Sequence, residues 1–138
     1  MSGDLASDLA LAYARPLDCV FCDIVAGRVP AEIVGRWPEV LAFTPLNPVT
    51  EGHALVVSRQ HVVWGDDVPW VYGPLFARAV DYARRHQSFN IVTSCGHDAT
   101  QTVAHVHLHV VPRRADDGLV LPWTDLRSEC WVTSVGAG

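Results

Sequence analysis

The chain has 138 residues and contains no lysine, so all ten of its basic residues are arginines. Without lysine it can supply neither the phosphate-binding lysine of a P-loop nor a lysine that forms a Schiff base with a carbonyl substrate. The net charge is −5, and the arginines form no broad cluster, which argues against a nucleic-acid-binding surface. A small phosphorylated ligand is compatible with this composition.

Long apolar runs are missing as well. No segment approaches the roughly 20 consecutive apolar residues of a transmembrane helix, and Asp4 lies where a secretory signal would carry positive charge. We therefore expect a cytoplasmic protein that does not bind a membrane. The hydrophobic content of 49% and the length predict a single domain. We place it at 19–113, the range of the motifs described below, with an N-terminal arm at 1–18 and a C-terminal extension at 114–138 that packs on it.

Three histidines, His105, His107 and His109, alternate with apolar residues. This is the period of a β-strand, in which side chains two residues apart share one face. The pattern predicts that the three imidazoles lie on one surface while the residues between them face the core. Such a surface can bind a metal or a phosphate, or use one imidazole as a nucleophile.

The remaining pattern predicts an α+β fold. Periodicity and turn residues predict a short helix at 21–27, a hairpin of strands at 33–37 and 40–44, a strand at 53–58, the main helix at 74–86, and strands at 89–93 and 104–111. Consecutive strands with one long helix laid across them favour an antiparallel sheet covered on one face.

Cysteines are few, and two of the four, Cys19 and Cys22, have the spacing of half a zinc site or of a redox pair. A redox pair begins a helix after a buried strand, whereas Cys19 lies near the start of the chain. We therefore favour zinc over a redox pair and over two buried thiols. His53 begins a predicted strand and His61 follows it, and with the three alternating histidines they offer enough imidazoles for a tetrahedral zinc ion.

Several motifs occur together in a fixed order. The chain contains Cys19-Val-Phe-Cys22-Asp-Ile-Val-Ala-Gly27-Arg-Val-Pro30, then Gly52-His53-Ala-Leu-Val-Val with His61 downstream, and then Gln101-Thr-Val-Ala-His105-Val-His107-Leu-His109-Val-Val-Pro112-Arg113. In this order they resemble the histidine triad (HIT) family of nucleotide hydrolases and transferases, in particular its zinc-containing bacterial branch. The resemblance implies a HIT-like fold of about five antiparallel strands, with one main helix and short helices on one side, and a homodimer.

The resemblance also implies roles for individual residues. His107 would attack the α-phosphate of nucleoside phosphoramidates, dinucleoside polyphosphates or similar nucleotides and form a covalent nucleotidyl-histidine, which water then hydrolyses. His109 and His53 would donate hydrogen bonds to phosphate oxygens, and Gln101 would contact the leaving oxygen or the attacking water. The expected substrate-binding residues are Asn47, Ser94, Gly96, Thr100, Thr102 and His109.

A metal site follows from the same resemblance. Relatives with zinc imply that Cys19, Cys22, His61 and His105 are its ligands. Four protein ligands leave no open coordination position, so we expect the zinc to be structural.

Three positions depart from the family pattern. Pro45 lies where relatives usually carry an aspartate that binds the ribose hydroxyls, and proline has no side-chain acceptor. Ser94 lies where asparagine or glutamine is common, and Thr100 lies where a glycine usually precedes Gln101. Sugar and base specificity therefore stay open, with Asn47 as a replacement contact for the ribose.

Three functions are compatible with these features. The first is the nucleotidyl-histidine enzyme described above, which we favour. The second is a nucleotide-binding or regulatory module with little turnover, motivated by Pro45 and Ser94. The third is a metalloenzyme in which His105, His107 and His109 bind a catalytic metal, although the C-x2-C pair explains a metal better.

Overall fold

The computed structural model describes residues 18–123. Its elements in chain order are helix α1 (Val20–Val25), strands β1 (Ile33–Arg36), β2 (Val40–Phe43) and β3 (Ala54–Ser58), a 3-10 turn (Pro69–Val71), helix α2 (Tyr72–Ala83), and strands β4 (Phe89–Thr93) and β5 (His107–Pro112). Every predicted element is present, with bounds that differ by a few residues. Within these residues, no helix is long and apolar enough to cross a bilayer. Most of the predicted arm and part of the predicted C-terminal extension lie outside the described residues.

The five strands form one antiparallel sheet in the order β1-β2-β3-β5-β4. The main helix α2 lies across one face of this sheet. Its buried residues Leu75, Ala79, Tyr82 and Ala83 share one side, as the helical period predicts. The α+β architecture, with five antiparallel strands and one main helix, is therefore confirmed.

Alternation along the strands divides the core into two parts. Residues such as Val56 and Leu108 pack against α2. Their neighbours Leu55 and Val57 face the other way, where they pack with α1 and both cysteines of the C-x2-C pair. His107 is paired with Val57 across the ladder, and His109 with Leu55. The two histidines therefore lie on the face of the sheet opposite the main helix.

The predicted start of the last strand is wrong. Residues 103–105 form a bend, and β5 begins only at His107. His105 donates its backbone N–H to the Val103 carbonyl (2.8 Å), and Val106 donates to Val62 (2.6 Å), so the regular ladder cannot extend to His105. Its imidazole nevertheless lies on the same side as His107, since the Phe21 ring contacts both.

Candidate active site and metal centre

A cleft of about 760 Å³ opens on the histidine face of the sheet. It is lined by two kinds of residue, which come from α1, the strands and the loops after β2 and β4. The polar group contains His53, Ser94, Thr100, Thr102, His107 and His109, and the apolar group includes Val20, Phe21, Ile24, Phe43, Leu46 and Leu55. Such a cleft suits a ligand with a phosphate at one part and an apolar ring at another.

The backbone fixes the tautomer of His107. Its Nδ1 lies 2.7 Å from the carbonyl oxygen of His105, and because a carbonyl only accepts, the ring proton must be on Nδ1. Nε2 is left with a lone pair. The side chain is buried, and this burial lowers the pKa of His107 against the opposing effect of the backbone hydrogen bond. A neutral imidazole with a free Nε2 is the form required of a nucleophile.

His53 and His109 are linked to each other. The Val49 N–H donates to His53 Nδ1 (3.1 Å), which leaves the ring proton of His53 on Nε2, and this atom lies 3.0 Å from His109 Nδ1. His53 therefore donates to His109, whose own proton must be on Nε2. Burial, followed by the nearby His107 and His53, lowers the pKa of His109 to about 4. Burial also lowers the pKa of His53. Both histidines line the cleft, but the N–H of His53 is directed to His109 and not to a ligand.

The loop between β4 and β5 places its predicted site residues differently. Ser94, Thr100 and Thr102 line the cleft, whereas Gly96 and Gln101 are not among its lining residues. The Gln101 amide donates to the carbonyls of Val63 and Val103 (both 3.0 Å), and its oxygen accepts from the Gly96 N–H (3.0 Å). In this arrangement the Gln101 side chain is bonded to three backbone groups, which fixes the loop.

Two further loop positions bear on the departures from the family pattern. Thr100 has a φ of +67°, a left-handed conformation that glycine adopts without cost. The backbone conformation therefore explains why glycine suits this position. Pro45 and Asn47 both line the cleft after β2. The ring of Pro45 therefore forms part of the cleft wall where a carboxylate is usual.

The four predicted metal ligands converge beside the cleft. Cys19, Cys22, His61 and His105 are all buried, and their ligand atoms lie within 4.8 Å of one another. The Cys22 sulfur is 3.2 Å from His61 Nδ1 and 3.6 Å from His105 Nδ1, while the Cys19 sulfur is 3.4 Å from His105 Nδ1. The C-x2-C spacing works because Cys19 is the N-cap of α1, which brings the two sulfurs to one end of the helix.

These donors fit a tetrahedral metal ion. His105 donates its Nε2 proton to the Ser58 carbonyl (2.7 Å), so the lone pair of Nδ1 faces His61 Nδ1 at 3.2 Å. Two nitrogens around tetrahedral zinc would lie about 3.3 Å apart, and a nitrogen and a sulfur about 3.6 Å apart, given the usual bond lengths. The spacing and the soft sulfur and imidazole donors match this geometry. Because His105 faces the cysteines, the three alternating histidines do not converge on a single metal.

One residue of the site was missed in the sequence. Phe21 lies between the two cysteines, lines the cleft, and packs nearly perpendicular to the rings of His107 (centroids 5.1 Å apart) and Phe43 (5.4 Å). Its position inside the C-x2-C motif was a usable signal, because a residue between two candidate ligands on a short helix must lie close to the metal-binding cluster.

Comparisons with known proteins agree with this geometry. The HIT domain family model matches residues 26–116. An uncharacterized HIT-like protein of Methanocaldococcus jannaschii is 34% identical over 118 residues, which cover 80% of this chain and 90% of that protein. A crystal structure of a Zn-bound histidine triad family protein from Mycobacterium smegmatis is 36% identical with a TM-score of 0.70, covering 76% of this chain and 81% of that one.

A more distant relative bears a named activity. An adenosine 5'-monophosphoramidase of Saccharomyces cerevisiae is 29% identical and covers 76% of this chain and 69% of its own length. The extent of the family match, the shared fold and the buried cluster of two cysteines and two histidines lead to one conclusion. The chain belongs to the histidine triad (HIT) family.

Proposed function

We propose that this protein is a hydrolase or nucleotidyl transferase that acts at the α-phosphate of nucleoside phosphoramidates, dinucleoside polyphosphates or similar nucleotides. One observation carries the proposal above the others. The His105 carbonyl holds the proton of His107 on Nδ1, which leaves Nε2 unprotonated at a cleft lined by further histidines. The family and the relative with phosphoramidase activity support the same chemistry.

The proposed reaction has two steps. Nε2 of His107 attacks the α-phosphorus, a nitrogen–phosphorus bond forms, and the bond to the leaving amine or phosphate breaks. The Nε2–H of His109 donates to a non-bridging oxygen as negative charge develops, and an amine leaving group takes its proton from a water molecule that the Thr102 hydroxyl orients. Water then hydrolyses the nucleotidyl-histidine, which releases the nucleoside monophosphate and restores neutral His107.

The apolar part of the cleft is proposed to hold the base. Phe21, Ile24 and Phe43 give this part of the cleft an apolar lining with two aromatic rings, and a base can pack against such rings. Asn47, Ser94 and Thr100 are proposed contacts for the sugar and phosphate. Gly96 and Gln101 would then act by shaping the loop that carries Ser94 and Thr100.

The metal is proposed to be zinc with a structural role. Cys19, Cys22, His61 and His105 would fill its coordination shell, so it would hold α1 against the sheet and would not activate water. Metal analysis tests this: Cys19→Ser is expected to lower the zinc content, and His107→Ala is expected to leave it unchanged. The opposite result would show that the ligands are wrongly assigned.

The organisation of the protein is likewise a proposal. We propose a cytoplasmic homodimer with the family domain at 19–113, an arm before it and an extension after it. Sedimentation of the zinc-loaded chain tests the dimer, and a monomer at micromolar concentration would refute it.

The chemical proposal is tested with adenosine 5'-phosphoramidate labelled at the α-phosphate. Rapid quenching of the native chain should trap a label on the protein that acid releases, and His107→Ala should trap none. His97→Ala is the matched control, because His97 has a fully exposed side chain and should leave labelling unchanged.

A second function, nucleotide binding with little turnover, is motivated by Pro45 in the cleft wall. Tight nucleotide binding by the native chain without any trapped label would support that function and contradict the first.

A further inference from the structure

Phe21 connects the metal-binding cluster to the proposed nucleophile. Cys22 directly follows Phe21 in the chain, and Cys19 lies two residues before it. Both cysteines are candidate metal ligands. Its ring lies 5.8 Å from the ring of His105, which is a third candidate ligand, and 5.1 Å from the ring of His107. One side chain therefore lies against both neighbourhoods.

The contacts of His107 show what Phe21 adds. The hydrogen bond from Nδ1 to the His105 carbonyl fixes one edge of the imidazole, and the His109 ring lies 5.2 Å away at an interplanar angle of 64°. These contacts come from β5 or from the bend just before it. Phe21 supplies a contact from α1, at an angle of 86°, which limits rotation of the His107 ring out of the plane that the hydrogen bond prefers.

The position of Phe21 depends in turn on the cysteines. Helix α1 has only six residues, too few to be stable by itself. Its N-cap is Cys19, and Cys22 is buried at its centre. Anchoring of both sulfurs in the cluster therefore sets where the Phe21 ring lies on the sheet.

We propose that Phe21 is a positioning residue: its ring holds Nε2 of His107 toward the cleft, and the metal-binding cluster holds the ring. The inference rests on the proposed function for the role of Nε2, but the packing itself can be tested without turnover. Substitution of Phe21 should lower the rate of the chemical step more than it weakens substrate binding.

Phe43 offers a matched control. It is also a phenylalanine that lines the cleft, and its ring packs against Phe21 at 5.4 Å. Within residues 18–123, its ring packs against no histidine ring. Phe21→Leu and Phe43→Leu thus make the same chemical change in the same wall of the cleft. Only the first removes an aromatic ring from His107.

The experiment uses both variants of the zinc-loaded full chain. Both variants lose part of the proposed base-binding surface, so we expect KM to rise by a similar factor in Phe21→Leu and Phe43→Leu. We expect kcat to fall about tenfold in Phe21→Leu and to stay nearly unchanged in Phe43→Leu. A second readout is the Nδ1–H signal of His107 in protein labelled with 15N-histidine. Its exchange with solvent should be at least tenfold faster in Phe21→Leu and unchanged in Phe43→Leu. Zinc content should equal that of the native chain in both variants.

The outcomes separate this inference from the proposed function. If the native chain forms no labelled intermediate, the proposed function fails, and the exchange of the Nδ1–H still decides the role of Phe21. If the two leucine variants behave alike in exchange, the positioning role is refuted. Phe21→Met, which also lacks a ring, replaces Phe21→Leu if the leucine variant loses zinc, and Phe21→Tyr should restore native exchange.

Discussion

His105 and His107 are two residues apart, lie on the same side of the sheet and are both buried, yet the structure gives them opposite orientations. His105 donates through Nε2 to the Ser58 carbonyl and turns Nδ1 toward the cysteines. His107 donates through Nδ1 to the His105 carbonyl and leaves Nε2 free at the cleft. A backbone carbonyl selects the ring nitrogen in each case. The role open to each of these histidines therefore depends on which ring nitrogen donates its proton to a backbone carbonyl, because the other nitrogen keeps the lone pair.

The largest effect is expected when the histidine at the cleft, His107, is replaced. His107→Gln should lower turnover by at least about a thousandfold, because no other described side chain presents a free imidazole nitrogen from the same place. Zinc content should remain native. Steady-state kinetics together with metal analysis check both statements, and retained turnover would show that the nucleophile lies elsewhere.

Replacement of His105 should affect the metal-binding cluster before it affects the cleft. His105→Gln removes one of four buried candidate ligands, so we expect zinc to be lost and the thermal midpoint to fall by roughly 10 °C or more. Turnover should fall only as a consequence of this loss. Calorimetry with and without added zinc measures the effect, and an unchanged midpoint would remove His105 from the metal site.

A smaller effect is expected from His53, which is hydrogen-bonded to His109. His53→Phe keeps an aromatic ring but deletes both the acceptor for the Val49 N–H and the donor to His109. The tautomer of His109 is then no longer fixed, and kcat should fall about 10- to 100-fold, as for other residues that orient a functional imidazole. The Nε2–H signal of His109 in NMR spectra provides the check; its persistence would show that His53 does not set the tautomer.

The stability of the folded protein should decrease gradually in acid because of His109. Its pKa is about 4 in the folded chain and about 6.5 when unfolded, so the unfolded state takes up the proton first as the pH falls. The contribution of neutral His109 to stability is complete above pH of about 6.5 and is lost as the pH falls toward about 4. The free energy of unfolding of the zinc-loaded protein, measured with urea, should therefore depend less on pH in His109→Gln than in the native chain over this range. His97→Gln, at an exposed site, should follow the native curve.

The smallest expected effect concerns the loop before β5. Gln101→Ala removes the side-chain hydrogen bonds to the Gly96 N–H and to the Val63 and Val103 carbonyls, which should raise KM several-fold through a less ordered loop while kcat changes little. Gln101→Glu is the matched control of similar size, since it keeps the acceptor and loses the donor. A large drop in kcat with unchanged KM would instead support direct contact of Gln101 with the reacting groups.

Much of this arrangement follows from the sequence. Alternation predicted the strand that carries His107 and His109, and the helical period predicted the buried side of α2. The C-x2-C spacing favoured a zinc site, and the resemblance to zinc-containing relatives implied that His61 and His105 complete the cluster that the structure brings together. These patterns are local, or they involve residue types with few alternative uses.

The remainder depends on contacts between distant residues. The bend before β5 is stabilised partly by the Val106 N–H donating to Val62, and the Gln101 amide reaches Val63, 38 positions away. The bond between His53 and His109 joins the residue just before β3 to β5. Which partner such a polar group chooses is decided by the assembled backbone, so periodicity and spacing could not supply it.

The place of β5 within the sheet affects how the protein should respond to heating. This strand is paired on both sides, with β3 and β4, whereas α1 is a short segment at the surface of the sheet. Strands paired on both edges exchange their amide protons last, and short peripheral helices open at much lower free energy. The proposed nucleophile is thus carried by a strand that should open late, and the cleft wall that faces it by a short helix that should open earlier, once the metal-binding cluster no longer holds it. We expect catalysis to disappear on warming before the sheet unfolds, and cooling should restore it without refolding of the core.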